Sequence, residues 1–298
     1  MSSKNVEVED TKSIISNGRN TIKDKDSGNK DNRNKNNRNK NNINKKKCSF
    51  RMIGYELRNI NGNFMTHFFG IVFPNIMSLL FSTIIGKQVP DAARPEVTVS
   101  VMICMALIMP MSIMFLGYGS LYSQEVEREI PQRMHLFGFS EKSLITAKII
   151  VHLLFLTGAM LLYGVIQTLL LDIPKPALSS LLILLGSLYL IGALFLVIVH
   201  SMANIFRRFS VTFGVAMSIY FLLMMLTGMM GISTDELPVI WQRIARTLPM
   251  TYISNDFAGF WQGGSYNFMP YIQSCIFLAA FTGILAMYAQ HRGRRVRK

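Results

Sequence analysis

The decisive stretch of the sequence is residues 123–140, which read SQEVEREIPQRMHLFGFS and separate two long apolar runs. We call this stretch the charged island, because Glu125, Glu127, Arg128, Glu129 and Arg133 stand close together in it. Hydrocarbon does not tolerate charges at this density, so the island must lie outside a lipid bilayer. The apolar run on each side is long enough to cross a bilayer. The sequence therefore predicts a membrane protein whose island is free to meet a soluble partner.

The composition of the chain agrees with a polytopic membrane protein. Half of the 298 residues are apolar, although the first fifty are almost wholly polar. The remainder is therefore strongly lipophilic. The three cysteines, Cys48, Cys104 and Cys275, are scattered and lack the spacing of a metal site or a disulfide framework. We expect neither a metal site nor cysteine chemistry.

Much of the net charge of +14 lies near the N-terminus rather than in a basic domain. Residues 1–50 are rich in Lys and Asn and have too few apolar side chains to fold, so we expect a disordered cytosolic tail. The tail could touch anionic lipid headgroups, bind RNA loosely, or be an idle solvated segment. We expect no specific nucleic-acid partner. Met52 is also a conceivable start of the protein. We expect residues 51–291 to form the membrane domain and residues 292–298 to form a basic cytosolic C-terminus.

Six segments are apolar over about 20 residues, the length that spans a hydrocarbon core. They lie near residues 66–86, 99–122, 144–171, 178–202, 210–231 and 269–290. Lys and Arg are enriched in the loops on the side of the island and the two termini, so the positive-inside rule places these in the cytoplasm. The predicted fold is an all-α polytopic membrane protein with six transmembrane helices.

A segment ahead of the first span has the pattern of an interfacial helix. Its apolar stripe comprises Ile53, Leu57, Ile60 and Phe64, and Glu56 falls on the polar side. Such a helix is expected to lie in the inner headgroup layer. It would brace the first span.

A second amphipathic segment lies between the fifth and sixth spans. Its apolar stripe comprises Leu237, Ile240, Trp241, Ile244 and Leu248. The stretch that follows, residues 249–264, is rich in aromatic side chains, which are common at membrane interfaces. We expect short helices in the outer leaflet, which either anchor the protein or gate a substrate.

The charged island is predicted to contain a short cytosolic helix. Good helix formers run from Ser123 to about His135, with Pro131 interrupting them, and Gly138 breaks the chain. Ser140 can cap the helix of the third span. Charges of alternating sign could fix the orientation of a docked partner.

The island and its flanks resemble a known family. The pattern consists of Glu127-Arg128-Glu129, Arg133, Leu136, Gly138, Ser140 and Lys148. It resembles the coupling-helix region of permease subunits in the type-2 exporter class of ATP-binding-cassette transporters. The resemblance covers residues 53–290 and includes a Leu-Pro followed by an aromatic residue, here Leu248-Pro249 and Tyr252. Many members have Gly-Thr after Glu-Arg-Glu, whereas this chain has Ile130-Pro131.

The resemblance implies a half-pore that is driven by another protein. The chain has no Gly-x-x-x-x-Gly-Lys-[Ser/Thr] phosphate loop, so no cofactor is expected on it, and ATP and Mg²⁺ are expected on a separate cytosolic ATPase subunit. Two permease copies, identical or related, would form the path across a bacterial cytoplasmic membrane, in contact with its lipids. This chain is therefore expected to be a transport subunit without a catalytic site. The residues implied in ATPase coupling are Glu125, Glu127, Arg128, Glu129, Arg133, Gly138 and Ser140.

The substrate path is expected along apolar and aromatic side chains. Its candidate residues are Phe115, Tyr118, Tyr220, Met224, Asp256 and Trp261. The Met and Phe residues of the second and fifth spans suit an amphipathic or lipid-like substrate, although helix packing explains them equally well. No charged residue is expected near the middle of a span, which argues against an ion-coupled carrier.

Two other functions are compatible with parts of the sequence. His200 and Asn204 stand one helical turn apart, as in intramembrane proteases of the prenyl-endopeptidase kind. The adjacent Glu-Glu of such proteases is absent, because Arg128 separates Glu127 from Glu129. A membrane channel or scaffold without an ATPase partner is the other alternative.

Overall fold

The computed structural model describes residues 50–229 and 234–296, and this part of the chain is helical, with no β-strand. Six of its helices are long and apolar enough to cross a membrane. They are Phe64–Gly86, Asp91–Glu127, Lys142–Leu170, Leu178–Phe206, Phe209–Leu226 and Met269–Arg292, here called spans 1 to 6. The predicted all-α fold with six spans is confirmed. The predicted tail, apart from its last residue, lies outside the described residues.

Four shorter helices belong to the described fold. The N-terminal helix, Phe50–Asn61, precedes span 1. The loop helix, Ile130–Leu136, lies in the charged island between spans 2 and 3. The first and second connector helices, Val239–Ala245 and Pro249–Phe260, lie between spans 5 and 6. Short helices are thus present at all three places where the sequence predicts them.

Span 2 forms the centre of the fold. In its most apolar window 89% of the residues are buried inside the protein, against 28% in span 1. Its core side chains pack against several other spans; the rings of Phe115 and Phe195 in span 4, for example, meet edge to face at 5.2 Å. Wide π-helical turns occur at Ser112–Tyr118 in span 2 and at Phe68–Val72 in span 1. Turns of this kind are frequent at functional sites.

Spans 1 and 2 cross very closely beside these π-helical turns. A Cβ atom on Gly117 would lie 2.5 Å from Thr66 Oγ1, and one on Gly70 would lie 2.6 Å from Ile113 Cγ1. Only glycine fits at either position without a shift of its neighbour. The close approach also lets the Asn63 side-chain amide donate a hydrogen bond of 3.1 Å to the Gly117 carbonyl oxygen. Span 1 is therefore fixed against the centre of the fold.

The N-terminal helix packs against the protein through a face that includes a glutamate. Its buried residues are Met52, Glu56 and Ile60. Leu57, which belongs to the predicted apolar stripe, is 44% exposed, and Phe50 is exposed as well. Glu56, which the sequence places outside that stripe, is nevertheless buried, because its carboxylate has a cationic partner in span 3. The two exposed apolar side chains are left available to lipid.

The second connector helix packs into the protein rather than lying on its surface. Met250, Ile253 and Phe257 are buried. Ser254 Oγ donates a hydrogen bond of 2.5 Å to the carbonyl oxygen of Thr227, just beyond span 5. The first connector helix, in contrast, keeps most of its apolar side chains exposed. The sequence predicts both helices but does not distinguish these environments.

Candidate functional site

The charged island changes direction at two positions with left-handed backbone geometry. Span 2 ends before Glu129, which has a φ of 56° and precedes the loop helix. The run of helix formers is interrupted just before Pro131, which lies in the first turn of the new helix, where its missing N–H costs nothing. Gly138, with a φ of 86°, ends the loop. Ser140 then caps the helix of span 3 as predicted, since its Oγ accepts a hydrogen bond of 3.0 Å from the Ser143 N–H.

The free surface of the loop helix combines charged and apolar side chains. Arg128, Glu129 and Arg133 are exposed. Leu136 and Phe137, at the end of the helix, are 85% and 71% exposed. Large apolar side chains exposed together and rimmed by polar residues mark contact surfaces. The loop helix is therefore a candidate docking surface.

Glu127 connects the island to span 5. Its Oε2 accepts a hydrogen bond of 3.3 Å from the backbone N–H of Phe209, the first residue of span 5. The N–H groups in the first turn of a helix have no partner inside the helix, and a negative charge there is favoured by the helix dipole. The exposed Glu127 side chain thus ties the end of span 2 to the beginning of span 5.

Glu125, in contrast, points into the protein. It is 7% exposed, and its Oε1 lies 2.7 Å from Lys148 Nζ, near the beginning of span 3. The same Nζ contacts both carboxylate oxygens of Glu56, on the N-terminal helix, at 2.8 Å. Asn59 adds a hydrogen bond of 3.2 Å to Glu125 Oε1. We call Glu56, Glu125 and Lys148 the buried triad.

The buried triad corrects one premise of the sequence analysis. The premise that every charge of the island is free to meet a partner does not hold for Glu125, because it pairs with Lys148 inside the protein. Direct contact of Glu125 with an ATPase stays a prediction, whereas its contacts with two other helices are observed. Gly138 and Ser140, also predicted in coupling, shape the loop through its turn and its cap.

The energetics of the triad favour a role in geometry. Two carboxylates share one ammonium group, and all three side chains are almost fully buried. Removing one partner of a buried ion pair typically costs about 3–5 kcal/mol, whereas replacing the whole group by well-packed hydrophobic residues of similar volume is often neutral or stabilising. The triad therefore fixes the relative positions of the N-terminal helix, span 2 and span 3 more than it adds net stability.

Glu56 and Lys148 are not among the predicted site residues, although Lys148 belongs to the family pattern and weak signals exist for both. Glu56 stands four residues from both Met52 and Ile60, so it shares their helix face. Lys148 lies inside the apolar run of span 3 rather than in the loop before it. Charged residues in such surroundings need a partner. The identity of that partner is not readable from the sequence, because Glu56 and Lys148 are 92 positions apart.

Four of the predicted path residues lie together in the protein core. Phe115, Tyr118, Tyr220 and Met224 are each at most 3% exposed, and all belong to one apolar cluster. They come from spans 2 and 5. A path along these side chains would need the two spans to separate. Their role in transport stays a prediction.

His200 and Asn204, the pair found in some intramembrane proteases, have tyrosine partners here. The Tyr118 hydroxyl lies 2.7 Å from His200 Nδ1. The Tyr122 hydroxyl donates a hydrogen bond of 3.3 Å to Asn204 Oδ1, and the Tyr122 ring stacks on His200 at 4.4 Å. These contacts join span 2 to span 4. They have the form of the interhelical hydrogen bonds that polar residues make within membrane-spanning bundles.

The other two predicted path residues lie at the second connector helix. Asp256 Oδ2 accepts a hydrogen bond of 2.9 Å from the Tyr266 hydroxyl, and burial, together with this bond, raises the pKa of Tyr266. Asp256 also lines a polar crevice with Arg246. Trp261 is buried, and its Nε1 donates a hydrogen bond of 2.7 Å to the Pro174 carbonyl oxygen between spans 3 and 4. Trp261 thus anchors this segment, and Asp256 lies where solutes can reach it.

These features define the class of the protein. Six apolar helices, one of them buried at the centre of the others, with a charged loop helix between spans 2 and 3, describe a multi-pass membrane protein. The family model described as ABC-2 type transporter matches residues 50–257, which is more than half of the chain. The chain therefore belongs to this family, and it is the membrane-spanning part of an ATP-binding-cassette transporter.

The comparison confirms the resemblance seen in the sequence. The match begins with the N-terminal helix and ends in the second connector helix, so it includes the buried triad and the charged island. The protein is a transport component, and its family in general works with an ATP-binding-cassette ATPase. No curated protein and no solved structure matches the chain.

Proposed function

We propose that this chain is one half of the membrane-spanning part of an exporter, driven by a separate ATPase subunit that docks on the charged island. The observation that carries the proposal is the exposed pair Leu136 and Phe137 at the end of the loop helix. The charges around the pair keep it out of hydrocarbon. A protein groove that accepts two apolar side chains, with polar contacts around its rim, fits this surface.

Contacts of the island support a mechanical role for docking. The island continues directly from span 2, contacts span 5 through Glu127 and Phe209, and leads into span 3 at the Ser140 cap. A push on the loop helix would therefore reach three spans at once. Closure of two ATPase subunits on ATP binding would then shift the permease from an inward-open to an outward-open state.

A second permease copy and an amphipathic or lipid-like substrate belong to the same proposal. Ile76 and Leu80 of span 1 and Phe221 and Met225 of span 5 leave exposed apolar faces on the protein. Lipid tails or the apolar face of a second copy would cover these faces, because both are apolar. A path between two copies lined by such side chains suits an amphipathic molecule. Phe221 and Met225 directly follow the buried candidates Tyr220 and Met224 in the sequence.

The proposed orientation places the island and both termini in the cytoplasm of a bacterial cell. It rests on the enrichment of Lys and Arg in the loops at that end. In this orientation, the connector helices face the outside, and the crevice beside Asp256 would open toward the product side of the membrane.

Docking is tested by a double substitution at the apolar pair. We expect Leu136→Ser with Phe137→Ser to insert normally, yet to lose both ATP-driven efflux of fluorescent amphipathic dyes and co-purification of the ATPase subunit. The matched control is Val239→Ser with Ile240→Ser, a pair exposed by 63% and 72% on the first connector helix. Unchanged efflux and co-purification in the first variant would contradict the proposal. Dye flux in the wild type that does not depend on ATP would favour the channel alternative.

A further inference from the structure

The buried triad joins three separate elements of the fold. Glu56 belongs to the N-terminal helix, Glu125 to the end of span 2 and Lys148 to the beginning of span 3. One Nζ atom bridges the two carboxylates, at 2.8 Å and 2.7 Å. Because each contact is buried, separating any element from the others would leave a charge without water and without a partner. The three elements are thus joined at one atom.

The loop helix covers the triad. A small recess beside the ion pairs is lined by residues of the loop helix and by residues of the three joined elements. The lining side chains from the loop helix are Ile130, Pro131 and Met134. Ile130 and Pro131 lie in the first turn of this helix, so the wall over the triad includes the part of the island nearest span 2. A displacement of the loop helix would therefore act on the triad directly.

We propose that Lys148 is a positioning residue that makes the N-terminal helix move as one body with spans 2 and 3 when the island is displaced. The proposal rests on the proposed function, since it needs a partner that displaces the island. The N-terminal helix then carries part of the force rather than only bracing span 1. Its exposed Phe50 and Leu57 place this motion at the lipid-facing side of the protein.

A triple substitution separates this role from a purely structural one. Glu56→Met, Glu125→Met and Lys148→Met together remove every charge of the triad with little change in volume, so the protein is expected to insert and to unfold at nearly the wild-type temperature. Coupling, measured as substrate exported per ATP hydrolysed in vesicles, is expected to fall about fivefold or more. Wild-type coupling in a folded triple variant would overturn the proposal.

Two further variants keep the test decisive. Glu125→Gln leaves Glu56 and Lys148 as a balanced pair, so it is expected to fold even if the triple variant does not, and its coupling is also expected to fall. Lys148→Arg keeps the charge and has room in the adjoining recess, so it is expected to retain coupling. Unchanged coupling in Glu125→Gln would overturn the proposal. An equal loss of coupling in Glu125→Gln and Lys148→Arg would also overturn it.

The matched control lies at the other end of span 2. Asp91 pairs with Arg94 at 2.9 Å, but both side chains are exposed. Asp91→Asn therefore removes an ion pair that is in contact with water, and it is expected to leave coupling unchanged. A wild-type protein that shows no ATP-driven transport would refute the proposed function and this inference with it. Normal wild-type transport with normal transport by the triple variant would refute this inference alone.

A distance measurement tests directly whether the N-terminal helix and span 3 move together, which a transport assay does not. Arg58 on the N-terminal helix and Lys142 at the beginning of span 3 are both exposed. Spin labels on cysteines at these two positions, with the three native cysteines replaced by alanine, report the separation of the two elements. With the triad intact we expect one distance with and without ATP. In the triple variant we expect a nucleotide-dependent shift or a broader distribution, and an unchanged single distance would contradict rigid coupling through Lys148.

Discussion

Replacing Gly117 by alanine tests the close crossing of spans 1 and 2. The added Cβ atom would lie 2.5 Å from Thr66 Oγ1, 3.1 Å from its Cγ2 and 3.2 Å from its Cβ. Thr66 is fully buried, so its side chain has no solvent side into which it can turn. The two helices must therefore move apart. Overpacking of this kind costs about 1–3 kcal/mol of unfolding free energy.

The helix propensity of alanine works in the opposite direction and needs a control. Alanine is about 1 kcal/mol more favourable than glycine in a helix. Gly164→Ala in span 3 provides the same gain without a clash, because a Cβ atom there has no neighbour within 4 Å. Both variants gain the same helix propensity, so the difference in stability between them reports the clash alone. We expect Gly117→Ala to be less stable than Gly164→Ala by about 1–3 kcal/mol.

The assay is equilibrium unfolding in mixed micelles of dodecyl maltoside and sodium dodecyl sulfate. Thr66→Ala removes the hydroxyl and methyl groups that would meet the new Cβ, and Thr66 Oγ1 has no hydrogen-bond partner among the described residues. The single variant is therefore expected to lose less than about 1 kcal/mol. Combined with Gly117→Ala it should recover about 1–2 kcal/mol of the loss, as expected for residues in contact. Equal stability of Gly117→Ala and Gly164→Ala, or no recovery in the double variant, would refute the packing argument.

Three further predictions concern the second connector segment and the N-terminal tail. If the second connector segment gates substrate, Asp256→Ala and Trp261→Ala change substrate-stimulated ATPase activity more than basal activity, and equal effects on both would favour anchoring. Trp261→Ala should also lower the unfolding free energy by about 3–5 kcal/mol, because a buried indole and its bond to Pro174 are lost. Deleting residues 2–48 is expected to leave export intact; a truncated protein that inserts normally but does not transport would show that the tail functions.

The sequence predicts the features of this protein that depend on local pattern. Six apolar runs give six spans, because length and hydropathy suffice to recognise a membrane helix. Ser140 caps span 3 because the side chain of a cap reaches only three residues along the chain. The helix in the island breaks at Glu129, two residues before Pro131. The sequence does not fix this position, since a proline can either interrupt a helix or lie in the first turn of a new one.

Features that depend on contacts between distant elements are not readable from the same patterns. Glu56 lies outside the apolar stripe of its helix, which by itself suggests contact with water. In the folded protein its carboxylate is buried instead, because Lys148 lies opposite it. The second connector helix shows the same difficulty. Its aromatic side chains are equally compatible with a membrane surface and with a protein core, and the bond from Ser254 to Thr227 decides for the core. Tertiary partners, not local propensity, determine both outcomes.

The three glutamates of the island show why charge density alone does not define a docking surface. In one continuous helix, Glu125 and Glu129 would share a face, because positions four apart are neighbours. The left-handed turn at Glu129 breaks that relation and leaves its side chain exposed, while Glu125 reaches Lys148 inside the protein. Glu127 binds the first N–H of span 5. Two of the three charges are therefore used to hold the spans together, so the surface left for a partner is the loop helix itself, where apolar contacts supply affinity and the remaining charges supply orientation.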